Sequence, residues 1–333
     1  MKKPPKISVV ILNYNGLHFL KKCLQTFKKQ TYSPLELIVV DNNSTDGSIK
    51  YLKQQKNITL IMNKENYGFA KANNIGAKVA IGKFLFFLNN DTELFEDTIE
   101  NLIKCYKKDG ILSARQIPMW DKKFEGAAGG GMDLFGYPYL EKIARNTKVF
   151  FADGATFFIK KNDFFIIGMF DEELFIFEED IDFCWRAQLM GYQVYGCWEA
   201  KVYHYSGGTV LGGANKIKKY STSYFRRYLN ERNIVRNILK NYSFPLCIII
   251  LSLLLFLHAV EIVALTILMK WRVIACYLEA YLWNIENLKN TLEYRKKIQK
   301  KRKISDFVLL KKMYWSYSKF IAFLRVGIPQ FKD

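Results

Sequence analysis

Paired cysteines at metal-binding spacing are missing from this sequence. Its six cysteines, at positions 23, 105, 184, 197, 247 and 276, include no C-x-x-C pair. That argues against a structural zinc site and against a disulfide framework, and reduced thiols are the expected state. Histidine is scarce, with three residues in 333. The pattern G-x-x-x-x-G-K-[ST] does not occur, which removes a P-loop. The first turn, NYNGLHF, has one glycine where G-x-G-x-x-G needs three, so a standard dinucleotide site is removed as well. The opening MKKPPKISVVILNYN has a short apolar run, interrupted at Asn13, and no small-residue cleavage site. No secretory leader is therefore expected, and the first part of the chain is expected to stay in the cytoplasm.

Negative charge is scarce in the last third. Residues 1–200 hold 26 Lys and Arg against 24 Asp and Glu, whereas residues 201–333 hold 24 against 7. The first part has an ordinary globular composition and the second is a basic appendage. Basic appendages meet polyanions, either nucleic acid or an anionic membrane face. The length suits one large domain with an appendage, and the division expected is 1–215 and 216–333.

Residues 7–91 alternate in type. ISVVIL, LELIVV, ITLIM and FLFFL read as strands, with amphipathic or short helices between them. Near-continuous Val, Ile, Leu and Phe strands alternating with helices predict an α/β fold with parallel strands covered on both faces. Ligands of such sheets bind beyond the carboxyl ends of the strands. The residues there are Asn13–Tyr14–Asn15, Asp41–Asn42–Asn43, Asn63 and Asn89–Asn90–Asp91. Any one of these could simply form a turn; four ends of one sheet agreeing points to a polar pocket.

Three elements could carry chemistry there. In FLFFLNNDTEL, Asp91 follows a buried strand at once, where a carboxylate can fix a divalent cation against a diphosphate. In FEEDIDFCWR, four acids fall at 178, 179, 180 and 182. They suit a helix N-terminus, and crowding also raises the pKa of at least one toward that of a general base. His204, in KVYHYSGGT, ends a strand predicted over 193–203 and precedes a Ser-Gly-Gly loop. The stretch GAAGGGMDLFGYP, 126–138, reads as a flexible loop near an acceptor or as a surface linker.

Taken together, SVVILNYNG, IVVDNNSTDGS, NYGFAKANNIG, FLNNDTEL, DGATFFIKKNDFFIIGMFDEELFIFEEDIDFCWR and VYHYSGG resemble family 2 glycosyltransferases of GT-A fold. The likeness is in particular to the bacterial rhamnosyltransferase-like branch, over residues 7 to about 210. The resemblance implies a Rossmann-like mixed sheet with helices on both faces, and an inverting, metal-dependent transfer of a hexosyl or deoxyhexosyl group. The donor it implies is a nucleotide-diphosphate sugar. It implies that Asp41 reads the base and that Asn13, Asn15, Asn66 and Asn90 contact the nucleotide. Asp153 and Gly154 would lie beneath donor sugar and acceptor. Asp91 and His204 would hold Mg²⁺ or Mn²⁺. Asp180 would be the catalytic base, with Glu179 beside it and Asp182 and Arg186 in support. The first acid of the D-x-D motif is replaced by Asn89, which leaves fewer charged ligands.

The alternative carried forward is an inactive membrane-bound nucleotide-sugar sensor or scaffold. A sugar nucleotidyltransferase would need a Gly-rich, Arg-containing first loop, which NYNGLHF does not supply.

The appendage holds an apolar run, FPLCIIILSLLLFLHAVEIVALTILM from Phe244 to Met269, long enough to cross a bilayer. His258 and Glu261 interrupt it, and both flanks are basic. A single crossing would strand RKKIQKKRK (295–303) on the far side, against the preference of positive charge for the cytoplasm. The expectation is a helical region that is peripheral, monotopic or re-entrant at the cytoplasmic face, with its basic run on anionic headgroups. A buried helical hairpin or dimer interface is the soluble counterpart. Nucleic acid is not expected, since no reading motif accompanies the charge. The acceptor expected is a glycan, on a polyprenyl lipid, in cell-surface polysaccharide synthesis. Donor sugar, base, linkage and oligomeric state stay open.

Overall fold

The computed structural model describes residues 3–120, 125–139, 147–205, 213–214, 220–327 and 329–331. The Ser-Gly-Gly loop after Tyr205 lies outside the described residues. The chain forms two compact units. The first comprises Met1–Gly130, Leu140–Cys184 and Tyr192–Val210; the second comprises Gly131–Tyr139, Trp185–Gly191 and Leu211–Asp333. The expected division at 215/216 lies outside the described residues. Two short segments from earlier in the chain also join the second unit, which a change in charge along the sequence does not reveal.

The first unit begins with β1 (Ile7–Asn13), α1 (Leu17–Phe27), β2 (Leu35–Asp41), α2 (Ser48–Leu52), β3 (Thr59–Met62), α3 (Gly68–Val79) and β4 (Phe84–Asn89). Next come β5 (Thr92–Leu94), α4 (Thr98–Cys105) and β6 (Gly110–Pro118). The strand pair β7 (Gly131–Met132) and β8 (Pro138–Tyr139) belongs to the second unit. Then follow β9 (Thr156–Lys160), α5 (Lys161–Ile167), α6 (Glu179–Leu189) and β10 (Gln193–His204). The eight-stranded sheet has the order β3-β2-β1-β4-β9-β6-β10-β5. The first four strands are parallel, as the alternation predicts. Beyond β4 the direction reverses at β9, which runs antiparallel to both β4 and β6, so the sheet is mixed.

Register places the polar strand ends side by side: Asn13 pairs with Asp41, and Leu12 with Asn89. Phe84 to Leu88 are all buried, as a strand covered on both faces requires. Phe86 meets Phe158, while Phe87 packs against Phe157, Phe164 and Phe170. Burying each such ring contributes roughly 1.5–3 kcal/mol. This apolar anchor is what lets a carboxylate sit rigidly two residues past β4.

Two expectations need correction. Cys105 and Cys197, 92 residues apart, form a disulfide, because α4 packs against β10 and brings the ends of distant segments together. Cys23, Cys184, Cys247 and Cys276 lie outside that disulfide and are buried. The glycine-rich stretch 126–138 is neither a flexible loop nor a surface linker. Most of it is buried, Ala127 bridges to Gln116, and Gly130 to Phe151. Gly129, at φ +85°, puts the place of a Cβ 2.4 Å from the Phe151 carbonyl, so glycine is there to admit a neighbouring backbone.

The second unit is helical: α7 (Tyr224–Asn241), α8 (Phe244–Ile267), α9 (Trp271–Glu286), α10 (Leu288–Lys301), α11 (Asp306–Leu310) and α12 (Ser318–Val326). Ser223 caps α7 by accepting from the Arg226 amide at 3.1 Å. Most of α7 is buried although it carries Glu231, Arg232, Arg236 and Lys240. Its charges are therefore partnered. Arg236 donates to Thr291 and Asn290, and Glu231 takes Lys319 at 2.8 Å and Arg227 at 2.9 Å.

Candidate active site

The first part of the site grows from the ends of β1 and β2. Asn13 donates through Nδ2 to Asp41 Oδ2 at 2.7 Å and to Ser44 Oγ at 3.1 Å. Asp41 also accepts from the Ser44 amide and hydroxyl, both at 2.8 Å. Ser44 Oγ accepts from the Asn15 amide at 2.9 Å, while Asn15 Oδ1 accepts from the Thr45 amide at 2.7 Å. Asn42 donates to Asn66 Oδ1 at 3.1 Å and accepts from Asn63 at 2.7 Å. Asn90 donates to Asn13 Oδ1 at 2.8 Å, tying the end of β4 to the end of β1. Asn13, Asn15, Asp41, Asn66 and Asn90 are thus brought into one connected array of amides around a carboxylate. Ser44, Asn42 and Asn63 belong to it too.

The second part joins Asp91 to His204. Their Oδ1 and Nε2 lie 3.2 Å apart, both side chains nearly buried. The other ring nitrogen, Nδ1, is 2.7 Å from Gln116 Oε1. Nδ1 is therefore assigned a proton, and Nε2 faces the carboxylate, to which it donates when the ring is charged. Burial works against charge on this ring, but the Asp91 carboxylate, by charge and hydrogen bond, and Asp153 outweigh it and raise the pKa. A carboxylate oxygen and an imidazole nitrogen this close, with the far nitrogen pinned by an amide, is a donor set that fits a divalent cation sharing its remaining positions with phosphate oxygens and water. Sequence reasoning missed Gln116: it is one polar residue within a strand, and no local pattern marks it.

The third part is the acidic helix start. Asp180 Oδ2 accepts from the Gly154 amide at 2.7 Å and Oδ1 from the Ile181 amide at 2.7 Å. Burial, then the charge of Asp153, push its pKa up to about 7 against those donors. Glu179 is buried, and burial together with the Asp180 charge holds its pKa well above the carboxylate range. Its Oε2 has no hydrogen-bond partner among the described residues.

A short path connects the parts. Gly154 holds Asp180, and the carbonyl of the next residue, Ala155, accepts from the Asn89 amide at 3.1 Å. Asn89 ends β4, two residues before Asp91. Asp153 acts electrostatically on both Asp180 and His204. Residues 153–155 thus link Asp180 to the neighbourhood of Asp91 and His204. Asp182 is fully buried on α6, its amide donating to Glu178. Arg186 is buried one turn further along, in the segment that belongs to the second unit.

The chain reaches α6 through strained backbone. Phe175, Phe177 and Glu178 all have positive φ, and the Ile176 amide closes a γ-turn onto Leu174 at 2.7 Å. The Phe175 carbonyl accepts from the Phe69 and Ala70 amides, capping α3. Gly68, at φ +74°, is the residue against which this turn closes, its Cβ position 2.5 Å from Phe175. Strain held this way clusters at functional sites.

Residues 8–165 match the family model described as "Glycosyl transferase family 2". GlyA of Streptococcus pneumoniae, a glycosyltransferase, is 30% identical over 151 residues, 44% of this chain and 21% of that protein. A glycosyltransferase of Haemophilus influenzae is 23% identical over 265 residues, 73% of this chain and 80% of that one. The chain thus spans about a fifth of the length of GlyA and four-fifths of the second relative. Among solved structures, GalNAc-T7 with UDP, GalNAc and Mn²⁺ aligns at TM-score 0.56 and 17% identity, over 72% of this chain and 48% of its own. S. aureus TarS in complex with UDP aligns at 0.51 and 18%, over 71% and 66%. At these identities the structures establish a shared fold, that of GT-A glycosyltransferases.

Proposed function

Since residues 8–165 match the glycosyl transferase family 2 model, we propose that the protein moves a hexosyl or deoxyhexosyl group from a nucleotide-diphosphate donor to an acceptor hydroxyl, with inversion. The observation that carries the reading is the Asp91–His204 pair, together with the 154–155 segment that holds Asp180 at Gly154 and the end of β4 at Ala155. In this reading the array around Asn13 and Asp41 receives the nucleoside, with Asp41 facing the base. Asp91 and His204 would hold Mg²⁺ or Mn²⁺, which when bound neutralises charge developing on the leaving diphosphate. Asp180 takes the proton from the acceptor hydroxyl, a step worth roughly 10²–10⁴-fold. The Gly154 and Ile181 amides fix its orientation, and burial with the Asp180 charge disfavours a second negative charge on Glu179 beside it. One displacement on the face opposite the diphosphate inverts the anomeric carbon.

The appendage supports a membrane setting. The second unit exposes large apolar side chains beside an excess of Lys and Arg. The acceptor proposed is a glycan on a polyprenyl lipid at the cytoplasmic face, in cell-surface polysaccharide synthesis, in keeping with a rhamnosyltransferase-like branch. A nucleotide-sugar-binding scaffold without activity is the second reading, and Asn89 in place of an acid favours it. A thermal-shift screen of nucleoside diphosphates and their sugars, with and without Mn²⁺, names the donor class, because ligand binding raises the melting point. Sugar transfer in membranes, lost in Asp180→Asn while the donor still shifts melting, separates enzyme from scaffold. Full turnover by Asp180→Asn would end the proposed role of that residue.

A further inference from the structure

The apolar helix α8 is long enough to cross a bilayer: 24 residues, about 36 Å at 1.5 Å per residue, against about 30 Å of hydrocarbon. Its two interruptions, His258 and Glu261, are not scattered. The buried residues Cys247, Ile250, Leu254 and His258 recur at helical spacing, and Glu261 continues the stripe. This inner edge is sealed by polar partners. His258 lies between Tyr137 (2.9 Å) and Tyr281 (2.7 Å). Glu261 takes Tyr317 at 2.7 Å, Lys319 at 2.8 Å and the Tyr277 hydroxyl. The outer face carries Ile248, Leu253, Phe256, Val260, Val263 and Ile267, all exposed, and no charge between Phe244 and Met269.

The neighbour α9 decides how that face can meet lipid. Tyr281 bonds to His258 and Tyr277 to Glu261, so α9 runs back antiparallel along α8. In that register Glu279 lies level with residues 259–260, and Glu286 level with 252–253. Both are exposed. With 1.5 Å per residue, each stands within roughly 6 Å of the midpoint of α8 along the helix. Were α8 to cross the bilayer, two exposed carboxylates would stand near its centre, where an acidic residue costs about 2.5–3.5 kcal/mol. Lying along the surface removes that cost. The uncharged face then enters the acyl layer, and Lys270, Arg272, Lys289, Lys296, Lys297 and Lys300, all exposed, remain in reach of anionic headgroups.

We infer that α8 lies flat in one leaflet of an anionic membrane, its outer face in the hydrocarbon and its His258–Glu261 edge turned into the protein, and that it does not cross. This rests on the membrane setting proposed above. The test uses the full chain with single cysteines at Ile248, Phe256 or Val263, each carrying a bimane label. The four native thiols outside the disulfide are buried, and the unsubstituted chain gives their background. Vesicles of phosphatidylcholine with an equal part of phosphatidylglycerol contain lipids brominated either near the headgroup or at mid-chain. A flat helix gives the same quenching profile at all three positions, stronger with the shallow bromines. Deep quenching at Phe256 with shallow quenching at Ile248 and Val263 would show a crossing and overturn the inference. Vesicle binding without quenching overturns it too, since another surface would then touch lipid. Failure to sediment with vesicles at all would instead remove the membrane setting itself.

Discussion

Gln116 Oε1 lies 2.7 Å from His204 Nδ1 and so determines which nitrogen of that ring faces Asp91. Gln116 is a positioning residue; it holds the tautomer in which Nε2 is offered to a cation. Gln116→Leu is expected to weaken Mn²⁺ binding about 10–100-fold. Turnover should recover at saturating Mn²⁺, which a merely structural role would not produce. The measurement is activity against Mn²⁺ concentration, with donor affinity followed separately.

Asp180 must be ionised to accept a proton, and burial with the Asp153 charge raises its pKa to about 7. The sign follows: kcat/KM should fall about tenfold per pH unit below about 7 and level off above it. In Asp180→Asn transfer should fall by roughly 10²–10⁴-fold. A pH–rate profile that is flat between pH 5 and 8 would remove the assignment.

Gly68 touches the strained turn that delivers Glu179 and Asp180. A Cβ there would stand 2.5 Å from the Phe175 carbonyl and ring, at a φ of +74°. Gly68→Ala is expected to destabilise the first unit by about 1–3 kcal/mol through overpacking and positive φ. Denaturant unfolding measures this. An unchanged midpoint would mean that the turn yields freely.

In the second unit, burial opposes charge on Glu231, but Lys319, His258 and Arg227 outweigh it and hold its pKa below the usual carboxylate range. A carboxyl with a lowered folded pKa contributes stability above its unfolded pKa of about 4.5, and that stability is lost as pH falls through the folded value. Lys319→Met removes a cation shared with Glu261 and should cost about 3–5 kcal/mol at neutral pH. The difference from the parent should narrow as pH drops below 4.5. Equal stability of the two proteins at pH 7 would contradict the network.

Exposed Lys296, Lys297 and Lys300 lie on α10. Replacing all three by Gln should weaken binding to anionic vesicles by about 3 kcal/mol, at roughly 1 kcal/mol for each charge near the surface. Binding of the parent and the variant should converge at high salt. Vesicle sedimentation across a salt series reads both effects.

Much of this protein is legible along the chain. Strand and helix periods, the polar ends of four parallel strands, the acidic start of α6 and the apolar run of α8 are local patterns, set by neighbours a few residues apart. Asp91, Asp180 and His204 could be singled out because each follows or opens such an element. Tertiary structure alone decided that Gln116 pins His204 across 88 residues, that Cys105 pairs with Cys197, and that Gly126 and Gly129 admit a neighbouring backbone. It also decided which edge of α8 is sealed by Glu231, Lys319 and the tyrosines. Those facts depend on which strands and helices become neighbours, and a one-dimensional pattern carries the propensity of each element but not the identity of the group placed against it.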